Sequence, residues 1–189
     1  MSQLAAGASV RPDDQEVLSR TRRWLEKAVI GLNLCPFARA AYVRDRVRLV
    51  VSHARHIDDL LDELDRELQH LAQTSADEVE TTLIIHPTLL PDFLDFNDFM
   101  ALAEAAPAEQ GLEGVIQLAS FHPQFQFEGT EPDDVSNCTN RSPYAILHLL
   151  REDSVEKAVA TLEDPDVIFE DNIRTMRQLG PEGWRALDL

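Results

Sequence analysis

Three histidines occupy the same local setting along the chain. His53 follows Leu-Val-Val-Ser, His86 follows Leu-Ile-Ile, and His122 follows Leu-Ala-Ser-Phe. Each closes a short apolar run of strand character. Imidazole changes charge near neutral pH and also ligates metals, so repeated histidines at strand ends point to acid/base or metal chemistry. In His86-Pro87 and His122-Pro123 the following proline restricts the histidine backbone to extended conformations and turns the chain away, which would hold each ring in place. A single histidine at a strand end is an ordinary polar terminus. Two in equivalent positions carry more weight, and His53, without the proline, carries the least.

The segment 121–143 starts at one of these histidines and has neither helical nor alternating periodicity. Unpatterned loops of this length inside a compact domain are uncommon and often functional. Phe121, Phe125 and Phe127 supply aromatic walls, and Asn137 and Asn140 supply amides. Arg141 supplies a fork of donors, and Glu128, Asp133 and Asp134 supply acids. Together with the histidines these groups suit a pocket for an anionic small molecule. The candidate catalytic residues are His86, His122 and Glu128, and the candidate ligand-binding residues are Asn137, Asn140 and Arg141. A loop that packs its own phenylalanines and caps itself with its asparagines is the structural alternative.

Other reactive side chains weigh less. His148 lies inside an apolar run and reads as a hydrogen-bonded core histidine. Cys35 stands before Pro36, beyond a helix end whose carbonyls raise a thiol pKa, and reads as inert; Cys138, beside Arg141, is the better thiol. Arg39, Arg44, Arg46, Arg48 and Arg55 form a basic stretch broken only by Asp45. Such a stretch can receive an anion, although pairing with acidic helices explains it more economically. No P-loop, G-x-G-x-x-G, G-x-S-x-G or H-E-x-x-H signature is present.

To gather the histidines, the chain needs strands that point the same way. Leu18, Thr21, Leu25, Ala28, Val29 and Leu32 mark a first amphipathic helix from Asp14, ended by Pro36. Val47–Ser52 is a strand. Ile57, Leu60, Leu61, Leu64, Leu68 and Leu71 mark the clearest helix, and Thr81–Ile85 reads as a central strand. Phe93, Phe96, Met100 and Ala103 line a third helix capped by Asp92 and terminated by Pro107. Val115–Ser120 and Tyr144–Leu150 are strands. Asp153 and Glu156 resemble a capping box for a helix that Pro165 closes. A last helix carries Ile168, Phe169, Ile173 and Met176 and stops at Leu179-Gly180-Pro181. The strand-helix-strand order predicts an α/β fold: a single four-stranded parallel or mixed sheet covered by helices, with the last strand free to run either way. A ferredoxin-like two-layer α+β arrangement is the rival. Residues 1–13 read as a flexible tail and 14–189 as a single α/β domain.

The chain has 189 residues, 44% hydrophobic and 27% charged, which is ordinary for a globular protein. Its net charge of −17 disfavours nucleic acid and anionic membranes. No apolar run is long enough to span a bilayer, and no secretory signal is apparent. Two widely spaced cysteines suit reduced thiols in a cytoplasm, where the Asn137-Cys138-Thr139 glycosylation pattern is irrelevant.

The blocks Leu32-Asn33-Leu34-Cys35-Pro36-Phe37-Ala38, Ser120-Phe121-His122-Pro123 with Phe125 and Phe127, and Asn137-Cys138-Thr139-Asn140-Arg141-Ser142-Pro143-Tyr144 resemble a bacterial family of unknown function, number 1415 in that series. The likeness extends from the first helix to the last. It implies no activity, and no catalytic residue carries over from it.

Two readings of function follow. The first is an enzyme or small-ligand-binding protein whose histidine-containing pocket lies at the carboxyl edge of the sheet. It requires His86 and His122 to lie within roughly 10 Å of each other in a concave site. A metal-free pocket is preferred; a divalent cation on the two imidazoles plus Glu128 or an aspartate is the subordinate version, and the cofactor is otherwise unknown. The second is a non-enzymatic protein-interaction module, which requires a convex loop with outward phenylalanines.

Overall fold

The computed structural model describes residues 12–160 and 166–189. The expected tail, 1–13, therefore falls almost wholly outside the described residues, as do Leu162 and Pro165.

Helix α1 (Asp14–Trp24) continues into a π-helical segment, Leu25–Ile30. The wider turn presents Leu25, Ala28 and Val29 to the core together with Val17, Thr21 and Trp24. This helix was expected to run on to Pro36. It ends at Ile30, where the chain turns through Asn33, whose φ of 55° breaks helical geometry, and Leu34 N–H donates back to Val29 O. The short helix α2 (Ala38–Val43) follows.

Strand β1 (Val47–Val51) leads into α3 (Ile57–Gln73). Four leucines at three- and four-residue spacing, Leu60, Leu64, Leu68 and Leu71, are fully buried, as the periodicity requires. His56 and Asp59 close the amino end of α3 as a reciprocal capping box. Its carboxyl end is held by Arg151, whose guanidinium donates to the carbonyls of Leu71, Thr74 and Val79. Strand β2 (Thr81–His86) is buried throughout. In α4 (Phe93–Ala103), Asp92 accepts from Leu94 N–H and Asp95 N–H as the expected cap. Pro107 does not end α4; it sits in the first turn of α5 (Ala106–Glu109), where a missing N–H costs nothing.

Strand β3 (Ile116–Phe121), a 3₁₀ turn (Val135–Asn140) and β4 (Ala145–Arg151) complete the sheet. The capping box expected at Asp153 and Glu156 does not form. Strand β4 runs directly into α6 (Glu152–Val159), so Asp153 is already inside the first turn, and no side chain caps the helix. Helix α7 (Asp166–Ala186) breaks at Gly180, with φ 67° and ψ 173°, where the glycine stop was expected.

The sheet is open and mixed, in the order β1-β2-β4-β3. Strands β1 and β2 are parallel, whereas β4 is antiparallel to both β2 and β3. It follows that β1, β2 and β3 all point the same way. One face buries Ile84, Leu147 and Leu149 under α3 and α4. The other buries Leu83, Ile85 and Ile146 under α1 and its π-helical extension. Helices on both faces make this an α/β fold, not the two-layer alternative. Among the described residues no helix is long and apolar enough to cross a membrane.

Leu68 sits at the centre of the α3 face. Leu68→Ala should lower the unfolding free energy by about 3 kcal/mol, by lost burial plus a cavity, as read from urea denaturation.

Candidate functional site

Because three strands share a direction, their histidine-bearing ends meet at one edge of the sheet. His53, His86 and His122 all emerge there, although β4 separates β2 from β3. His86 and His122 are brought together. Their rings pack on Phe96 of α4, with centroids 5.6 and 5.1 Å from it, and His122 also meets Phe93 at 5.5 Å. His53 stays apart, exposed and 3.1 Å from Asp14.

The two imidazoles grip consecutive carbonyls of the loop between β2 and α4. His86 Nδ1 lies 3.1 Å from Leu89 O and His122 Nε2 lies 3.2 Å from Leu90 O. A carbonyl only accepts, so each of these nitrogens carries the proton. His122 Nδ1 accepts from Gln124 N–H at 3.1 Å and is satisfied. His86 Nε2 is left with a bare lone pair and no partner, in a ring only 2% exposed. Leu90 adopts φ 55°, an uncommon and strained conformation for a bulky side chain.

Burial sets the charge of these rings. Desolvation pushes His86 down to about 4; the Leu89 carbonyl offsets part of this, and neighbouring His122 adds to it. His122 is lowered by the same desolvation, with Leu90 O and the Asp92 carboxylate pulling the other way. Both are therefore neutral at physiological pH, which suits a proton acceptor. His148, in β4, is likewise pushed by burial to about 4 and contacts Thr81 Oγ1 at 2.7 Å, as a core histidine should.

The remaining candidates divide. Asn137 is fully buried and engaged: its Oδ1 accepts from Phe127 N–H and the Thr130 hydroxyl, and its Nδ2 donates to Glu131 O. Arg141 donates from Nε to Phe125 O and from Nη2 to Pro132 O. These two side chains clasp the 121–143 segment to itself. Glu128 is exposed, and the Glu128 and Asn140 side chains engage no partner among the described residues, although Asn140 O accepts from His122 N–H. Phe125 packs between Phe93 and Phe127, tilted against the first at 5.2 Å and edge-to-face with the second at 4.9 Å, and all three are half-buried rather than turned outward. Cys138 is buried, and desolvation raises its thiol pKa despite Arg141 beside it.

Of the basic stretch, Arg46 pairs with Asp77 at 2.9 Å and Arg48 makes a two-pronged bond to Glu67 at 2.7 and 3.0 Å. Among the described residues no three His, Cys, Asp or Glu side chains converge as a metal would need, so the site with Glu128 as third ligand is not assembled. Two open concavities lie elsewhere. One, of about 260 Å³, is lined by His53, Asp59, Asp62, Glu63 and Arg66; the other, of about 540 Å³, runs along α7. The edge histidines are legible as strand ends, whereas their carbonyl partners Leu89 and Leu90 are not, because only the turn brings them back onto the rings.

Two outcomes follow from this geometry. Asn137→Ala strands Phe127 N–H and Glu131 O inside the loop, while the Thr130 hydroxyl keeps Phe127 O, and should destabilise the fold by about 1–3 kcal/mol in chemical denaturation. Between about pH 6.5 and 4 the unfolded chain binds a proton that the folded His86 ring refuses. Its contribution to stability is therefore complete above that window and lost on acidification, and His86→Gln should remove its share of the slope in urea titrations across that range.

No curated protein and no solved structure matches the chain. Its residues 16–186 match a family model described as protein of unknown function, DUF1415, and the chain belongs to that family.

Proposed function

We propose that this chain binds a small molecule at the carboxyl edge of its sheet and acts on it with His86 as proton acceptor. The observation that carries the reading is the lone pair on His86 Nε2, buried without a partner. An unsatisfied buried acceptor costs about 1–3 kcal/mol, and such groups in native structures call for a reason, of which a catalytic or ligand-binding role is one. The neutral ring is ready to take a hydrogen bond or proton from a hydroxyl, amine or thiol. His122 is the neighbouring imidazole that keeps the ring in place through Phe96 and the loop carbonyls. Carboxyl edges of α/β sheets are favoured binding positions because the loops diverge there.

For the anionic end of such a ligand we propose the guanidinium N–H groups of Arg141 that Phe125 and Pro132 leave unused, together with the Asn140 and Glu128 side chains of the same loop. Asn137 builds the loop and is not available to the ligand.

A thermal-shift screen of hydroxy acids, amino acids and sugar phosphates tests this, with wild type and His86→Gln side by side. A true ligand should stabilise wild type and bind His86→Gln at least about tenfold more weakly, the loss of one buried hydrogen bond. Equal stabilisation of both proteins, or of neither by any compound, removes His86 from the reading.

A further inference from the structure

The ring of His86 is sealed, so whatever it serves must reach it through a part of the fold that opens. The segment 87–91, bounded by Pro87 and Pro91, turns back onto that ring through Leu89 O and leads into α4. Its outer side is exposed at Thr88 and Pro91, while Leu90 and Leu89 turn inward onto the core. Among the described residues no backbone hydrogen bond holds 87–91, and its polar attachments are the two bonds from the imidazoles. Opening such a segment lifts Leu90 and Leu89 off the core but breaks only two hydrogen bonds and relieves the φ of 55°, so its cost lies below the free energy of global unfolding.

We infer that residues 87–91 form a lid over His86, latched by the N–H groups of His86 and His122 on the carbonyls of Leu89 and Leu90 and hinged at the Asp92 cap of α4. The same histidine nitrogen that fixes the lid, Nδ1, also fixes which nitrogen is the free base. Opening the lid releases the ring, and closing it sets the tautomer with the lone pair on Nε2. The two prolines limit the conformations available to the open segment, and Leu90 leaves its strained geometry when the latch is broken. This inference rests on His86 being the working base. It assigns to the site a gate that admits small ligands while keeping the imidazole dry when no ligand is present.

Acylation of the imidazoles by diethyl pyrocarbonate at neutral pH, mapped by mass spectrometry, tests the lid without any ligand. Exposed His53, His56 and His70 serve as fast references in the same molecule. Amide exchange in β4, the central strand between β2 and β3, reports global unfolding. The lid requires His86 to react more slowly than the references, yet at least about tenfold faster than global opening allows, with little dependence on denaturant. Reaction of His86 in step with the β4 amides, with the same denaturant slope, overturns it. His122→Phe keeps an aromatic ring against Phe96 but removes one latch bond, and should speed His86 acylation about fivefold; an unchanged rate overturns the latch. If that variant does not fold, the wild-type comparison still decides. A ligand sensitive to His86→Gln with no local opening defeats the lid alone, and local opening without such a ligand defeats the reading of the base.

Discussion

The arrangement depends on the pairing of β4. This strand is antiparallel to β2 on one side and to β3 on the other, and that double pairing forces β2 and β3 to share a direction although they do not touch. Its register sets His86 opposite Ala145 and Phe121 opposite Ile146, which brings the two histidine-bearing strand ends level across an intervening strand. A slip of one residue would turn every β4 side chain to the other face and lift Leu147 and Leu149 out of the layer beneath α3 and α4. The apolar demand of that layer therefore holds the register, and the register places the site.

Above this frame the polar groups fall into two kinds. Asn137, Arg141 and Arg151 spend their hydrogen bonds on backbone carbonyls and amides of irregular segments, satisfying groups that neither helix nor sheet can reach. Their work is to give the 121–143 segment and the end of α3 one conformation. The imidazoles at the sheet edge differ in that they leave something over. His122 uses both ring nitrogens, but His86 uses one, and its second nitrogen remains in an apolar setting against Phe96. Burial that would make a charged imidazole untenable keeps this one neutral, so desolvation serves the same end as the hydrogen bond that selects its tautomer.

The acidic balance of the chain is partly spent within the fold. The basic stretch before α3 sends Arg48 of the half-buried edge strand β1 to Glu67 of α3, and Arg46, just before β1, to Asp77 in the turn that follows α3. Such pairs contribute little stability each, but charges along an edge strand discourage pairing with another chain. Arg39, Arg44 and Arg55 stay exposed.

By itself the sequence determined the four strands, the long helices and their facing, since these follow from local rules; the short elements α2, α5 and the 3₁₀ turn carry no such periodicity. The leucine spacing of α3, the Asp92 cap, the β-branched runs and the Gly180 stop each answer to neighbours within a few residues. So did the recognition that His86 and His122 hold equivalent strand-end positions, because apolar run, histidine and proline are contiguous. Tertiary structure decided what depends on distant partners: that the first helix widens and stops at Ile30, that Asp153 caps nothing because β4 feeds straight into α6, and that Asn137 is wholly and Arg141 partly engaged by their own loop. It also decided which imidazole keeps a free lone pair. That outcome turns on where the carbonyls of Leu89 and Leu90 come to rest, and a carbonyl carries no mark in the sequence.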